Sequence, residues 1–266
     1  MSRAEERLFR LSDGDLHWLV ASTVRRRSDY EHIVELIRDK PDMIDVLLDD
    51  PGLADALFRD RDALLSVSPM LVFSVLVRRA HRDLQEAGFT LEPGRDGAVP
   101  VFDARKAAAL LDDGAVRRYL ARMLASFTRV ETVTVIVRGR RGWVRRAYSD
   151  LSAEDMAELG ELLEPVHRLP FYQRAADVCL FLTGVYPDYV LKVRPSLEEY
   201  DALGQEFYRK AAELARELDG KAAHVLSVLA DSFVLARKPL AVIAQRYLAG
   251  RNWFRPDVRP FRSETG

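Results

Sequence analysis

Apolar residues recur at three- and four-residue intervals over most of the chain, the spacing that gives a helix one buried face. From Arg3 to about Glu86 helix-start signals cut this periodicity into short pieces. Ser28 with Glu31 reads as a capping box, Pro41 and Pro51 stand where first turns begin, and Ser68 precedes Pro69. The helix opened there, PMLVFSVLVRRAHRDLQ, is apolar nearly all round in its first half and basic in its second, so its early turns are expected in the core.

The period changes near the middle. In FTLEPGRDGAVPVF two short β-type runs flank PGRDG, which fits an irregular hairpin or loop. Two helices are predicted next, roughly 104–111 and 115–127, broken at Gly114. VETVTVIV then alternates as a half-buried strand does, Gly139 and Gly142 turn the chain, and Trp143 to Tyr148 returns as the partner strand.

Helical spacing resumes with Ser152 and Asp155 as a start. Pro170 opens a helix holding ADVCLFLTG, almost without a polar face and so a candidate core centre. Ser196 with Glu199 reads as a further capping box before a helix to about Leu218. Gly220 separates it from one running to about Ala236, and Pro239 starts or kinks a last helix ending near Gly250. The pattern predicts a mainly α fold, a multi-helix bundle in two helical halves with a small central β-hairpin. The divisions are 1–88 (N-terminal helical half), 89–150 (small α+β segment), 151–250 (C-terminal helical half) and 251–266 (extended tail).

Composition narrows the function classes. Forty basic against forty-one acidic side chains leave a formal charge of −1, so any electrostatic function is local. MSRAEERLFRLSDGD lacks the apolar core of a signal peptide and no apolar run approaches the roughly 20 residues of a bilayer span, which reads as a cytoplasmic protein without a membrane partner. The single cysteine, Cys179, can form no internal disulfide, and its apolar helix marks it as a core thiol rather than a nucleophile. The lone Glu-x-x-His pair, Glu164 and His167, encloses Pro165 and has no second copy, so no metal site is expected. Nucleophile elbow, phosphate-binding loop and dinucleotide fingerprint are all missing, so the chain is read as non-enzymatic and without a cofactor.

One asymmetry stands out. From Phe102 to Tyr148 there are eleven basic and four acidic residues, a local excess of +7 that leaves −8 for the rest. Five of these arginines fall in VIVRGRRGWVRR, the predicted turn and its flanks. Arginine binds phosphate through a planar fork and stays charged at any working pH. The candidate binding set is therefore Arg138, Arg140, Arg141, Arg145 and Arg146 with Trp143, extended by Arg117, Arg118 and Arg122 on the preceding helix. The order helix, helix, strand, basic turn, strand resembles the second half of a winged-helix module. That resemblance implies a recognition helix in a major groove and a wing on the backbone, with GAVPVFDARKAAALL supplying the earlier strand and helix.

YDALGQEFYRKAAELA resembles the first helix of a tetratricopeptide repeat at Tyr200, Leu203, Gly204 and Phe207. Arg216 stands where that pattern wants a small residue and no copy recurs, so Gly204 is read as a close helix contact. Three functions are carried forward. The first is a regulatory or adaptor protein whose basic hairpin engages nucleic acid or an acidic protein. The second is a small-molecule site, binding or enzymatic, around Arg174, Asp177, Tyr186, Tyr189, Tyr200 and Tyr208, with Asp188 nearby. The third is a structural subunit completed by homo-oligomerisation.

Overall fold

Ser12 accepts a hydrogen bond from the Asp15 amide while the Asp15 carboxylate accepts one from the Ser12 amide. The second oxygen of Asp15 takes the Ser68 amide at 2.7 Å. One buried carboxylate thus starts α1 (Asp13–Thr23) and fixes the start of α5 (Pro69–Glu86), two helices far apart in sequence. The computed structural model describes residues 11–24, 29–38, 40–59, 64, 66–94, 97–129, 132–139, 142–194 and 196–249.

Between α1 and α5 lie α2 (Tyr30–Ile37), α3 (Pro41–Leu48) and α4 (Leu53–Arg59). Pro41 occupies the first turn of α3 as its missing N–H allows, whereas Pro51 sits in the turn before α4, where Asp50 accepts from the Gly52 amide at 2.7 Å. Ser28 lies outside the described residues. Ser68 caps α5 through the Leu71 amide, and every residue from Leu71 to Arg78 is buried, as the all-round apolar first half of that helix predicts.

The middle segment holds β1 (Thr90–Gly94) and β2 (Gly97–Val101), α6 (Ala104–Leu110), α7 (Gly114–Ser126), then β3 (Thr132–Gly139) and β4 (Gly142–Ser149). Each strand pair is an antiparallel hairpin and a separate two-stranded sheet. β1 pairs with β2 rather than with β3 or β4, so the three-stranded sheet of a winged-helix module does not form among the described residues.

The second half contains α8 (Ala153–Glu161), a 3-10 turn at Pro165–His167, α9 (Leu169–Val185), α10 (Pro187–Val193), α11 (Leu197–Ala215), α12 (Gly220–Asp231) and α13 (Phe233–Ile243), which runs on into a π turn at Ala244–Leu248. Ser152 caps α8 through the Asp155 amide as expected. Ser196 does not cap α11. Its hydroxyl sits with the Glu198 carboxylate, which the backbone amide first and Ser196 second hold below the ordinary carboxylate range. The break expected near Ala236 comes instead at Ser232, which leaves helical geometry at ψ 27°, and Pro239 is carried inside α13. The helix continues past the proline and ends in the π turn.

The fold is mainly helical with small antiparallel hairpins. α9 lies against α8, α11 and α13, while α13 also packs on α5 and α6. A single contiguous cluster of buried apolar residues therefore runs from Leu19 through Phe73, Leu120 and Cys179 to Leu248, joining the two helical halves. A smaller cluster of Leu16, Val20, Val34 and Ile37 welds α2 to α1.

Candidate functional site

The β3–β4 ribbon pairs Val133 with Tyr148, Val135 with Arg146, Ile136 with Arg145 and Arg138 with Trp143. Because side chains alternate across a strand, Arg145 and Arg146 point to opposite faces. On one face Tyr148 is buried and lies at the base of the ribbon, and Arg146 pairs with Glu158 of α8 and covers the Tyr148 ring at 5.3 Å. The Ser149 amide donates to Asp155 at 2.9 Å, a second tie between the base and α8. On the other face Ile136 is 61 % exposed and Arg145 is exposed too, with no carboxylate in ion-pair reach among the described residues. Arg140 and Arg141 lie outside the described residues, and Arg138 and Trp143 are placed by backbone register alone.

The arginines of α7 are not gathered with the hairpin. Arg117 donates to the Leu111 and Asp112 carbonyls, and Arg118 donates to Asp45 of α3 at 2.7 Å. Both stand near the start of α7, roughly 13 Å along the axis from its hairpin end at 1.5 Å per residue. Arg122 lies over the Tyr119 ring at 5.3 Å, beside the buried polar centre of the fold rather than the ribbon.

That centre is Asp177. The Tyr119 and Tyr208 hydroxyls both donate to its Oδ1, at 2.6 and 2.7 Å, and all three groups are enclosed by helices α7, α9 and α11. Burial raises the Asp177 carboxyl above its ordinary range, while the two hydroxyls, Arg174 and Arg122 pull the other way. Desolvation together with the adjacent carboxylate pushes both phenols well upward, so they remain donors.

Of the other predicted pocket residues, only Tyr208 joins Asp177. Arg174 reaches elsewhere, donating to the Asp150 carbonyl and carboxylate at 2.9 and 3.0 Å and to Ser126 at 2.8 Å, with its guanidinium 3.9 Å above the Phe127 ring. It stitches the end of α7 to the turn before α8. Tyr186 meets Phe181 edge-on, Tyr200 lies under Arg194, Tyr189 is partly buried against the core, and Asp188 is exposed. Tyr119 was not anticipated, because among Arg117, Arg118 and Arg122 an aromatic reads as part of a basic surface.

A second buried polar network carries no sequence motif. Arg237 and Lys238 of α13 both pair with Glu92 of β1; Arg237 also meets Asp201 at 3.0 Å, and Lys238 meets Asp103 at 3.0 Å. Thr90 donates to the other oxygen of Asp103 at 2.6 Å. The network ties the first hairpin and the start of α6 to α13. Its signal was present in FVLARKPLAVI, where two cations in an apolar helix demand buried acids.

Among the described residues no group of three or more His, Cys, Asp or Glu side chains is arranged to hold a metal ion, and no helix is long and apolar enough to cross a membrane. Cys179 is buried, and desolvation drives its thiol pKa far upward, which suits a core residue. No family model matches the chain, and no match is found among curated proteins or solved structures.

Proposed function

We propose that this is a non-enzymatic regulatory or adaptor module that uses the β3–β4 hairpin to hold an anionic backbone, that of a nucleic acid or of an acidic protein segment. The observation that carries the reading is Arg145, an exposed cation without an acidic neighbour among the described residues, on a ribbon whose base is fixed to α8 through Tyr148 and Asp155. An anchored base holds Arg145 on its strand before binding, so less ordering is lost when an anion arrives. Arg146, turned to the other face, exchanges an exposed partner, Glu158, for an external one at small cost. The residues Arg138, Arg140, Arg141 and Trp143 of the same ribbon complete the expected grip, whose role is backbone positioning rather than base reading. The buried Asp177 constellation favours a structural role, since its hydroxyl donors come from the fold itself.

The test is fluorescence anisotropy with labelled single- and double-stranded oligonucleotides and with polyglutamate, at low and physiological salt. The proteins are wild type, Arg145→Ala with Arg146→Ala, and Arg138, Arg140 and Arg141 all changed to Ala. Binding that weakens steeply with salt and is lost in both variants supports the hairpin as the grip. Equal binding by all three proteins, or none to either polymer, overturns it. Retention of polyglutamate alone assigns the partner to acidic proteins.

A further inference from the structure

On α5, Arg78, His81, Arg82 and Gln85 recur every three or four residues and share one face. That face meets the C-terminal end of α3 and the turn between α6 and α7, where further charges converge. Arg78, almost wholly buried, pairs with Asp45 and Asp49; Arg118 takes the other oxygen of Asp45; His81 bonds Asp112 at 3.0 Å, with Gln85 behind it at 3.1 Å. Arg82 donates through Nη1 to the Asp49 carbonyl at 3.0 Å, and Arg117 through Nη1 to the Leu111 and Asp112 carbonyls. Four guanidinium groups thus interleave with three carboxylates, and the carboxylates are occupied by Arg78, Arg118 and His81.

What is left over is specific. Arg82 Nε and Nη2 and Arg117 Nε are buried N–H groups without a hydrogen-bond partner. Nε and Nη2 form the side-on edge of a guanidinium, whose two parallel N–H vectors match two oxygens of one oxyanion. Buried donors are nearly always satisfied, so three unsatisfied ones at one corner of a fold ask for an acceptor. The four guanidinium groups also outnumber the three carboxylates by one. Burial first and Arg117 next lower the His81 pKa against the pull of Asp112; burial lowers that of Arg78 against the pull of Asp45 and Asp49, with Arg117 a smaller contribution.

We propose that Arg82 and Arg117 form an oxyanion site whose ligand is a phosphate group, held by two oxygens on the Nε–Nη2 edge of Arg82 and by a third on Arg117 Nε. A tetrahedral phosphate presents a third oxygen and more negative charge than a carboxylate, which suits three N–H donors spread over two guanidinium groups. The rim, where Arg82 meets Asp49 and His81 meets Asp112, is solvent-exposed. The site stands apart from the β3–β4 ribbon and takes one small anion rather than a polymer.

The experiment is titration calorimetry and thermal melting with inorganic phosphate and, separately, glycerol phosphate, at ionic strength held constant with sodium chloride. Wild type is expected to bind one phosphate saturably and to melt at higher temperature as the site fills. Arg82→Gln is expected to lose at least tenfold in affinity. Arg82→Lys keeps the charge without the parallel pair of N–H groups and is expected to lose as much, with the circular dichroism of each variant checked against wild type. Arg145→Ala is expected to bind as wild type does. Binding of both ligands assigns the site to phosphate monoesters, and of inorganic phosphate alone to the free ion. No saturable binding of either by wild type overturns the proposal, as does unchanged affinity in the Arg82 variants. Loss confined to Arg145→Ala also overturns it, placing the anion on the hairpin instead.

Discussion

A Cβ atom on Gly204 would stand 2.4 Å from the Phe233 ring and 2.8 Å from Cys179 Cβ. α11 therefore approaches α9 and the start of α13 as closely as a backbone can, and the ring of Phe233 fills the space a side chain would need. Gly204→Ala is expected to destabilise by about 1–3 kcal/mol, because overpacking exceeds the roughly 1 kcal/mol of helix propensity gained. Denaturant unfolding measures the loss. Labelling of the Cys179 thiol under native conditions is expected to quicken in the same variant.

Tyr119→Phe and Tyr208→Phe each remove one hydroxyl from Asp177 Oδ1. Each is expected to cost about 1–2 kcal/mol of unfolding free energy near neutral pH. Both groups serve one oxygen, so the double variant is expected to depart from additivity in a mutant cycle. Additive losses would show that the two hydroxyls act independently.

Asp201 is raised from 3.8 to about 6, by desolvation first and then by Glu92 and Glu198, against the pull of Arg237. Its Oδ1 is buried without a partner. A folded-state pKa above the unfolded one means the folded chain holds the extra proton between about pH 4 and 6. Its share of stability therefore falls as pH rises through that window and stays lost above it, by up to about 3 kcal/mol. Against Asp201→Asn, wild type is expected to weaken progressively from pH 4 to 6.5. A pH-independent difference between the two proteins would refute this.

Arg146→Ala removes an exposed ion pair with Glu158 and is expected to change stability by less than about 1 kcal/mol. Tyr148→Ala, by contrast, removes the buried anchor of the ribbon and is expected to cost about 3 kcal/mol or more. Thermal melts of the two variants separate loss of grip from loss of fold, which any binding assay on the hairpin needs as its control.

The mainly helical character and the hairpins were legible because they rest on local periodicity and turn residues, whereas the short helix α10 was not read from the sequence. α5, α9 and the β3–β4 ribbon follow from apolar spacing, Ser68, Pro170 and the Gly139–Gly142 turn. Ser196 misleads because a serine before glutamate fits both a cap and a side-chain pair, and Pro239 because a proline that reads as a helix start is carried inside α13. The partners of buried charges were beyond reach. Glu92 and Arg237 are bonded across 145 positions, and Asp15 reaches Ser68 across 53. Such pairings are set by how helices stack, and nothing in either local stretch names the other.

α13, the last α-helix described, rests on α5, α6 and α9 and supplies both cations of the Glu92 network. During synthesis the first hairpin and the centre of the fold therefore lack these contacts until α13 has left the ribosome. Truncation before Phe233 would remove the wedge that closes the structure rather than an accessory tail, and a nascent chain stalled there would present its unfinished interior to chaperones and proteases.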